Sequence, residues 1–540
     1  MISGAEIMVK CLEAEGVDIV FGYPGAAICP FYDKVYDSSI THILVRQEQN
    51  AAHAASGYAR CSNRPGVCVA TSGPGATNLI TGIATAYTDS IPIVAITGQV
   101  RSDLLGRDVF QEADITGACE PFVKHSFLVS KTEDLPRVFK EAFHIASTGR
   151  PGPVLIDIPV DIQENEIESF EYPESVNIIG YKPNTKGHAI QVKKAVEAIN
   201  ASKRPVIVSG GGVLSSGIKL KLQKFAETTG IPVISTMMGI GVMPSEHELY
   251  LGMLGTHGKA VANRALHEAD LVIVCGARLG DRAVAAPDQM SENTKVIHID
   301  IDPAEIGKNV KTEIPIVGDM KNVINMLLDS IGDYKVTTMW SETVKNWKKD
   351  LYREPPIFDG FVEPRTLVGH LSAMFRSKAI LVADVGQNQI WCANNFRIRE
   401  GRFLTTGGMG TMGYSIPAGI GAKFARPDRD VIVICGDGSF QMGLNELATI
   451  AGNQLGIKII IMKNARLGMV RELQDKHYGG RHSATILNGD PDFLKIADAY
   501  GIDHAEAHSN KEAENIIKGI VDSEKPFILV CDVHPDTPSI

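Results

Sequence analysis

The sequence predicts an α/β protein of three doubly wound domains, each built on a mostly parallel sheet. Short runs of β-branched and other apolar residues alternate with segments whose apolar residues recur at helical spacing, which is typical of parallel sheets covered by helices. Two polar, proline-containing stretches, residues 172–186 and 334–356, interrupt this alternation. The chain of 540 residues is long enough for several such domains. We therefore expect domains at residues 1–165, 187–331 and 364–540.

The composition excludes several classes of protein. Hydrophobic residues make up 44% of the chain and charged residues 21%, as in ordinary globular proteins. The formal net charge of −10 disfavours binding to nucleic acid or to an acidic membrane surface. No apolar run approaches the roughly 18 residues of a membrane span, and the N-terminal residues lack the pattern of a secretory signal. The nine cysteines form no CxxC pair, so we expect a cytoplasmic protein with no membrane or nucleic-acid partner.

The first domain carries one candidate acid and one candidate anion loop. It begins with a helix over residues 3–16, where Ser3 and Glu6 have the spacing of a capping box. We expect strands at residues 17–21, 41–45, 66–70, 91–97 and 154–157. Glu48 follows the second strand and precedes a helix, and on the local sequence a solvated, dipole-stabilised glutamate is the simpler interpretation. The glycine-rich residues 71–78 follow the third strand and can bring backbone N–H groups close to an anion, although many strand–helix turns look similar.

The middle domain has glycines where a nucleotide-binding domain would need them. We expect its strands at residues 205–209, 231–235, 271–275 and 295–300. Gly210–Gly212 follow the first of these strands, and the last one ends at Asp300. A strand followed by glycines and a later strand ending in an acid are compatible with dinucleotide binding, but the G-x-G-x-x-G fingerprint is absent. The residues alone therefore do not predict a nicotinamide-binding domain.

The last domain contains a candidate metal site. We expect strands at residues 379–383, 431–435 and 458–462, and a helix over residues 440–450. Asp437 and Asn464 lie just beyond the carboxyl ends of two neighbouring strands, where open α/β sheets bind ligands. A carboxylate, an amide oxygen and backbone carbonyls suit Mg²⁺, which is usually shared with phosphates. The alternative is an ordinary strand–turn–helix in which Asp437 only caps the helix.

Several of these motifs resemble a known family. Gly436-Asp437-Gly438, followed by Asn464 and then Leu467–Val470, resembles the diphosphate–metal signature of thiamine-diphosphate (ThDP) enzymes. Further motifs across the first domain resemble one branch of that family, the acetolactate (acetohydroxyacid) synthases. They are residues 71–78, 98–100, 110–112, 124–125 and 149–154. The resemblance implies a pyrimidine-binding first domain, an FAD-type middle domain and a diphosphate-binding last domain.

The resemblance implies four catalytic residues, namely Glu48, Gln111, Lys124 and Arg282. Glu48 would hydrogen-bond the aminopyrimidine ring of the coenzyme and tune its proton chemistry. Gln111 and Lys124 would line the substrate channel together with Phe110, and Arg282 would hold the carboxylate of the second substrate. The alternatives are a solvated Lys124, a packed Phe110 and a surface ion pair between Arg282 and its neighbour Asp281.

The resemblance also implies three cofactors: ThDP, Mg²⁺ and FAD. The metal would be held by Asp437, Asn464 and the carbonyl of Arg466. The residues implied for ThDP are Gly25, Val385, Gly386, Gln387, Asn388, Gly410, Met412, Asp437, Gly438, Ser439, Asn464 and Met469. Those implied for FAD are Gly210, Gly211, Gly212, Thr236, Met238, Gly255, His257, Gly276, Arg278, Asp300 and Asp319. Met469 would prop the coenzyme into a bent shape, its alternative being a core methionine, and Asn388 stands where the family usually has a histidine.

The implied reaction joins two 2-ketoacids. Pyruvate would be decarboxylated, with the thiazolium as electron sink, and its two-carbon unit would join pyruvate or 2-ketobutyrate. The products would be 2-acetolactate or 2-aceto-2-hydroxybutyrate, for branched-chain amino-acid biosynthesis. Leu473 stands where biosynthetic members have a tryptophan, so we expect a weaker preference for 2-ketobutyrate. A homodimer or homotetramer with a possible small regulatory subunit is implied. The alternatives are a sister ThDP enzyme (a 2-ketoacid decarboxylase, pyruvate oxidase or sulfoacetaldehyde acetyltransferase) and a flavin-binding scaffold whose ThDP site has decayed.

Overall fold

Three six-stranded parallel sheets organise the structure, a computed structural model that describes residues 1–284, 294–351 and 354–540. The predicted fold class, α/β with three doubly wound domains, is confirmed. The strands are β1 Ile2–Ser3, β2 Ile19–Gly22, β3 Thr41–Leu44, β4 Gly66–Ala70, β5 Ile93–Gln99, β6 His125–Leu128, β7 Val154–Pro159, β8 Glu166–Ile167, β9 Pro205–Ser209, β10 Val233–Ser235, β11 Tyr250–Met253, β12 Leu271–Cys275, β13 Lys295–Asp300, β14 Ile314–Val317, β15 Ile380–Ala383, β16 Arg402–Leu404, β17 Val431–Gly436, β18 Ile457–Lys463, β19 Asp503–Ala507 and β20 Phe527–Asp532.

Helices cover both faces of the sheets, which is why the central strands are continuous apolar runs. The α-helices are Gly4–Ala14, Cys29–Tyr36, Glu48–Ser62, Pro74–Asn78, Ile80–Asp89, Ile115–Cys119, Leu135–Ser147, Val160–Glu164, Ala189–Ala201, Gly211–Ser215, Lys219–Thr229, Ala260–Glu268, Met320–Ser330, Thr338–Asp350, Pro364–Met374, Gln387–Asn395, Ser415–Ala425, Asp437–Gly443, Leu447–Gly452, Gly468–Tyr478, Phe493–Ala499 and Asn510–Ile520. Within the described ranges, none of the helices combines the length and the apolar character that crossing a bilayer requires.

The first and last sheets have the same strand order. The first is ordered β3-β2-β4-β5-β7-β6 and the last β16-β15-β17-β18-β20-β19. In each sheet, the second strand in sequence is placed on one side of the first strand and the later strands on the other side. The direction of strand addition therefore reverses between β2 and β4 and between β15 and β17. Ligands of open α/β sheets bind at the carboxyl ends of strands beside such a reversal. The fold therefore marks one candidate binding crevice in each of these two domains.

The middle sheet is wound differently. Its strands are ordered β11-β10-β9-β12-β13-β14 across the sheet. If β9 is numbered 1 and the later strands follow in sequence, this order is 3-2-1-4-5-6. That order is the one typical of dinucleotide-binding domains, and it reverses between β9 and β12. The glycines predicted to bind a cofactor, Gly210–Gly212 after β9 and Gly276 after β12, lie at that reversal.

The first and last domains pack closely within the chain. Helix Glu48–Ser62 crosses helix Ser415–Ala425 at small residues, and a Cβ atom on Gly57 would overlap the carbonyl of Ala418. The buried carboxylate of Glu446 joins the two domains, because it accepts hydrogen bonds from the backbone N–H of Arg46 at 2.8 Å and from Asn50 Nδ2 at 3.0 Å.

The prediction of one continuous helix over residues 440–450 is wrong. The chain forms helix Asp437–Gly443, a tighter turn over Leu444–Glu446 and then helix Leu447–Gly452. Gly443 is a weak helix former at the break. The interruption turns the Glu446 carboxylate towards the first domain and towards the hydroxyl of Thr449, 2.6 Å away, which a continuous amphipathic helix pattern does not anticipate.

Candidate active site

Glu48 lies at the strand-order reversal of the first domain. It opens helix Glu48–Ser62 directly after β3, and its Oε2 accepts a hydrogen bond from Asn78 Nδ2 at 2.9 Å. A Cβ atom on Gly75 would lie 3.4 Å from Glu48 Oε1. The carboxylate therefore faces the predicted glycine-rich loop, and the missing side chain at position 75 leaves room beside it. On the other side of the reversal, Gly25 packs tightly against Thr71 of the same loop.

Gln111 packs on this glycine-rich loop. Its backbone has a φ of +60°, and its Cα lies 3.0 Å from the position of a Cβ on Gly73. Gln99 Nε2 donates to the carbonyl of Ala113 at 2.8 Å and so ties the segment to the end of β5. Phe110 is 86% exposed, so it is not a packed core residue of the chain. The structure thus brings both Gln111 and Glu48 to the same glycine-rich loop.

Lys124 lies elsewhere in the first domain. Its ammonium group donates to the carbonyls of Ile145 and Thr148, at the end of helix Leu135–Ser147, and to the hydroxyl of Tyr181 at 3.0 Å. Burial lowers the pKa of Lys124 to about 8. These are the contacts of a helix C-cap, so Lys124 is not solvated. Its role in a substrate channel stays a prediction.

Asp437 links the ends of β17 and β18 at the reversal in the last domain. Its Oδ2 accepts hydrogen bonds from the backbone N–H groups of Asn464 at 3.0 Å and Ala465 at 2.6 Å. Its Oδ1 accepts from Gly438 N–H at 2.9 Å. Burial is the largest cause that raises the pKa of Asp437 to about 6. Asp437 is therefore more than a helix cap, since it fixes the loop that carries the second predicted metal ligand.

The orientation of the Asn464 amide follows from its hydrogen bonds. The Glu472 carboxylate only accepts, so Gln387 must direct Nε2 towards it, at 2.7 Å. Gln387 Oε1 then accepts from Asn464 Nδ2 at 2.9 Å. Asn464 Oδ1 consequently points the other way, where it accepts from Arg466 N–H at 3.1 Å. The oxygen of Asn464 thus lies on the side of Arg466, as a metal ligand would.

A second carboxylate, that of Asp490, acts on Asp437. Asp490 Oδ1 accepts from Gln441 Nε2 at 3.0 Å, whereas Asp490 Oδ2 is buried and has no partner among the described residues. The charge of Asp490 contributes to raising the pKa of Asp437, and no positively charged side chain is among the causes that lower it. A buried pair of acids without a cation is unfavourable. Hard oxygen donors of this kind fit Mg²⁺.

The side chain of Asn388 stabilises the turn after β15. Asn388 Nδ2 donates to the carbonyls of Asp384 at 2.7 Å and Ile434 at 3.4 Å, and so bridges β15 and β17. Gly386 has a φ of +141°, and a Cβ there would lie 2.6 Å from Asn388 Oδ1. The oxygen of this amide also lies 3.4 Å from the position of a Cβ on Gly436, at the end of β17. Contact of Val385, Gly386 and Asn388 with a diphosphate stays a prediction.

Two aspartates that the sequence analysis missed hold the loop of Gly410 and Met412. Asp384 Oδ1 and Oδ2 accept from the backbone N–H groups of Gly413 at 2.9 Å and Ser415 at 2.8 Å. From the first domain, Asp89 accepts from Gly408 N–H at 2.8 Å. Burial raises the pKa of both aspartates, for Asp384 to about 6. The position of Asp384 directly after a strand was a usable signal; Asp89 offered none.

Apolar side chains line the other wall of the crevice. A Cβ on Gly438 would lie 3.2 Å from Leu467 and 3.8 Å from Met412, and Ser439 Oγ accepts from Gly436 N–H at 3.0 Å. Met469 is half-buried rather than a core residue. Leu473 is 48% exposed. These positions leave an apolar surface beside the predicted metal ligands.

Two of the predicted FAD segments, those of Gly212 and Gly276, meet at the reversal of the middle domain, and FAD binding stays a prediction. Gly212 N–H donates to the carbonyl of Gly276 at 3.1 Å, and a Cβ on Gly212 would lie 2.8 Å from Gly276 Cα. Asp300 is the last residue of β13, and burial raises its pKa to about 6. The other predicted FAD residues have contacts of their own. The backbone N–H of Thr236 donates to the carbonyl of Ser209, while the carbonyls of His257 and Arg278 accept from the side chains of Asn394 and Asn309. Met238 lies beside Gly407, Gly255 lies beside Arg282, and Asp319 caps the following helix by accepting from the backbone N–H of Lys321.

Arg282 is at the surface of the chain. Its side chain is 74% exposed, and its Nε lies 3.6 Å from the carboxylate of Asp281, which is 88% exposed. This is the surface ion pair that the sequence offered as the alternative. Such an exposed pair contributes little to stability, so the guanidinium is free to bind a carboxylate, and that role stays a prediction.

Comparison with known proteins agrees with this geometry. Three family models match the chain: "Thiamine pyrophosphate enzyme, N-terminal TPP binding domain" at residues 2–118, "central domain" at residues 192–327 and "C-terminal TPP binding domain" at residues 384–531. The chain is 47% identical to a probable acetolactate synthase large subunit of Methanocaldococcus jannaschii, over 99% of this chain and 92% of that protein. It is 45% identical to the probable large subunit of Methanococcus aeolicus, over 99% and 93%, and 45% identical to the acetolactate synthase large subunit of Haemophilus influenzae, over 93% and 89%. The chain therefore belongs to the thiamine pyrophosphate enzymes and, among them, to the family of the acetolactate synthase large subunits.

Proposed function

We propose that this chain is the catalytic subunit of an acetolactate synthase, which decarboxylates pyruvate and joins the two-carbon unit to a second 2-ketoacid with ThDP and Mg²⁺. The observation that carries the proposal is the fixed orientation of Asn464, whose oxygen lies on the Arg466 side of a turn bonded to the buried Asp437. The names of the relatives support the choice of reaction within the family. We propose a role in branched-chain amino-acid biosynthesis on the same ground.

The metal end of the proposed site is the turn after β18. Asp437, Asn464 Oδ1 and the carbonyl of Arg466 would hold Mg²⁺, and the ion would bind the two phosphates of the coenzyme. The buried and unpartnered Asp490 Oδ2 adds negative charge that favours a divalent cation there. Gln387 supports the site indirectly, since its amide is used by Asn464 and Glu472.

The pyrimidine end of the proposed site is Glu48. Asn78 donates to one oxygen of this carboxylate and leaves the other free to hold or accept a proton at a ring nitrogen. When bound, ThDP supplies the electron sink that stabilises the carbanion left by loss of CO₂. Met469, Leu467 and Met412 would exclude water from that centre, which favours carbon–carbon bond formation over protonation.

We propose that two copies of the chain complete each site. The described contacts of the Glu48 side chain lie in its own first domain, and those of Asp437 in its own last domain. Apolar side chains near both are exposed in the single chain, among them Leu44 at 40%, Met442 at 54% and Val470 at 45%. A homodimer or homotetramer would cover them. The designation "large subunit" of the relatives supports a small regulatory subunit as a further partner.

Substrate selection would fall to residues around the crevice mouth. We propose that Gln111 and Lys124 line the channel, that Arg282 binds the carboxylate of the acceptor, and that the modest size of Leu473 weakens the preference for 2-ketobutyrate. FAD in the middle domain is proposed because the strand order and the glycines at its reversal suit a dinucleotide. All nine cysteines are unpaired and eight are buried, which supports a reducing, cytoplasmic setting.

One experiment tests the proposal. The purified protein is given pyruvate, alone or with 2-ketobutyrate, in the presence and absence of ThDP and Mg²⁺, and the products are resolved by chromatography. We expect 2-acetolactate from pyruvate alone, a mixture of both acetohydroxyacids with 2-ketobutyrate, and no product without ThDP. A flavin absorbance band in the isolated protein would report bound FAD. Release of acetaldehyde as the only product would contradict the proposal and favour a decarboxylase.

A further inference from the structure

The turn that carries Glu48 is held from outside its own domain. Glu48 begins a helix whose N-terminal cap residue, Gln47, makes no capping hydrogen bond with its side chain. The start of this helix is therefore not fixed by the cap that helices commonly use. The residues around Glu48 instead contact residues 445–449 of the last domain, a segment that we call the Glu446 bracket.

Within the bracket, Glu446 bonds to both flanks of Glu48. Its Oε1 accepts from the backbone N–H of Arg46, two residues before Glu48, at 2.8 Å. The same oxygen accepts from Asn50 Nδ2, two residues after Glu48, at 3.0 Å. One carboxylate oxygen therefore joins the loop after β3 to the first turn of helix Glu48–Ser62, and displacing it would release both flanks of Glu48 together.

The other oxygen of Glu446 is held by the bracket itself. Thr449 Oγ1 lies 2.6 Å from Glu446 Oε2 and 3.2 Å from the carbonyl oxygen of Leu44, the last residue of β3. A carboxylate can only accept, so the single hydroxyl hydrogen of Thr449 is donated to Glu446, at the shorter distance. Glu446 and Thr449 are both buried. The carboxylate is thus fixed in one orientation against the first domain.

All three described donors to the Glu446 carboxylate are uncharged, namely a backbone N–H, an amide and a hydroxyl. Burying a carboxylate among neutral partners costs more than burying an apolar side chain. Part of this cost is offset, because Asn50 lies in the first turn of a helix, where the helix dipole favours negative charge. Glu446 is therefore a costly residue whose hydrogen bonds to the first domain fix the position of one turn.

We propose that Glu446 is a positioning residue for Glu48, because it fixes the backbone from which the Glu48 carboxylate reaches the pyrimidine ring of ThDP. The inference rests on the proposed function, in which Glu48 acts on that ring. The described hydrogen bond from Asn78 Nδ2, at 2.9 Å, holds the Glu48 side chain but not the backbone that carries it. A displacement of about 1 Å at a reacting group can cost about 100-fold in rate, so this backbone support matters for catalysis.

The test follows a proton of the coenzyme rather than turnover. The proton on C2 of the thiazolium ring must be removed before a ketoacid can be attacked, and Glu48 is proposed to promote its removal. Full-length protein loaded with ThDP, Mg²⁺ and FAD is transferred to heavy water. Replacement of this proton by deuterium is then measured by NMR after acid quenching. Binding of ThDP is measured separately by calorimetry, since the proposed metal ligands Asp437 and Asn464 do not belong to the bracket.

The two substitutions at position 446 should differ sharply. Glu446→Leu should slow the exchange by about 10–100-fold, while ThDP still binds within a few-fold of the wild-type affinity. Glu446→Gln should exchange within a few-fold of the wild type, because an amide keeps all three contacts. Its oxygen accepts from Arg46 and Asn50. Its NH₂ group donates to Thr449, whose hydroxyl hydrogen is then free for the carbonyl of Leu44.

Glu363→Leu is the matched control for the loss of a buried glutamate. Glu363 accepts from the backbone N–H of Thr366 at 2.7 Å and from Arg365 Nε at 2.8 Å, both in the last domain. This control should lower the melting temperature without slowing the exchange. Thr449→Val is the milder variant should Glu446→Leu fail to fold. It removes the hydrogen bond that orients Glu446 and should slow the exchange by roughly 2–10-fold.

The outcomes separate this inference from the proposed function. Slow exchange in Glu48→Gln together with wild-type exchange in Glu446→Leu, or in Thr449→Val where Glu446→Leu does not fold, would overturn the inference alone. Equal slowing in Glu446→Leu and Glu446→Gln would also overturn it, because the charge of Glu446 and not its hydrogen bonds would then be responsible. Wild-type exchange in Glu48→Gln would remove Glu48 from its proposed role, and the inference with it.

Discussion

Replacement of Glu472 by leucine should weaken Mg²⁺ binding, although Glu472 is not itself a proposed metal ligand. Glu472 accepts hydrogen bonds from Gln387 Nε2 at 2.7 Å, Ser539 N–H at 2.8 Å and Ser539 Oγ at 2.6 Å. Without this charged acceptor, only the carbonyl of Thr537, 2.9 Å from Gln387 Nε2, still favours the present orientation of the Gln387 amide. If it turns over, Asn464 must turn its NH₂ group rather than its oxygen towards the cation. The NH₂ group is the positive end of the Asn464 amide dipole, and turning it towards Mg²⁺ opposes binding of the ion.

The magnitude follows from the group that is lost. A hydrogen bond to a charged acceptor contributes about 1.5–3 kcal/mol, and loss of a partner that orients a metal ligand typically weakens metal affinity by about 10–100-fold. We therefore expect a fall of that size in Glu472→Leu, measured as the Mg²⁺ concentration that half-activates turnover and, independently, by calorimetric titration of the protein–ThDP mixture. Maximal turnover at saturating Mg²⁺ should fall less.

The matched control is Glu472→Gln. Its amide oxygen can still accept from Gln387 and from Ser539 N–H, so Mg²⁺ affinity should stay within a few-fold of the wild type. Trp391 gives a check on folding, because it is buried and donates to the carbonyl of Pro538 at 2.9 Å, next to Ser539; its fluorescence should remain that of a buried indole. Wild-type Mg²⁺ affinity in Glu472→Leu would refute the orienting role.

Three further predictions concern the coenzyme, the acceptor and pH. Glu48→Gln should abolish turnover while the melting temperature still rises on adding ThDP and Mg²⁺; retained turnover would remove Glu48 from its role. Leu473→Trp should raise the ratio of 2-aceto-2-hydroxybutyrate to 2-acetolactate in competition assays, and the protein should tolerate it because Leu473 is 48% exposed; an unchanged ratio would contradict this. Folding raises the pKa of Asp157 from 3.8 to about 7, mainly by burial. The folded state therefore keeps a proton that the unfolded state releases, and this group lowers the free energy of unfolding as the pH rises from 3.8 to about 7, by at most about 1.4 kcal/mol per pH unit. Asp157→Asn should show a flatter dependence in urea titrations across that range, and an identical slope would show that Asp157 does not titrate there.

Strands buried on both faces could be predicted closely from the sequence. The runs at residues 66–70, 205–209, 271–275 and 295–300 are strands with those bounds, because a parallel strand covered by helices favours a mostly apolar run. Of the edge strands, β3 was predicted at residues 41–45, but the others were missed. β6 has a partly exposed mixture of residues and β16 begins with an arginine; at an edge, burial no longer imposes a continuous pattern, so periodicity carries little signal.

The candidate site was predictable where residues follow strand ends, as Glu48, Asp437 and Asn464 do. Glu472 was not, since it lies within helix Gly468–Tyr478 and its role depends on Gln387 and Ser539, distant in sequence. Hydrogen-bond partners separated by 85 and 67 residues leave no local pattern. What the sequence cannot provide is the chain of donors and acceptors that decides which way an amide points.

The equal strand orders of the first and last domains explain why one ligand can need both. At corresponding places the two folds present opposite chemistry. The first offers a glycine-rich loop and a single carboxylate, Glu48, beside Gly75. The last offers the acids Asp437 and Asp490 and the amide of Asn464. A crevice with a single carboxylate suits a heteroaromatic ring with nitrogen atoms to bond, whereas clustered oxygen donors suit a cation that carries phosphates. Under the proposed function, a coenzyme with both kinds of end would need two such crevices to face each other, which a second copy of the chain would provide.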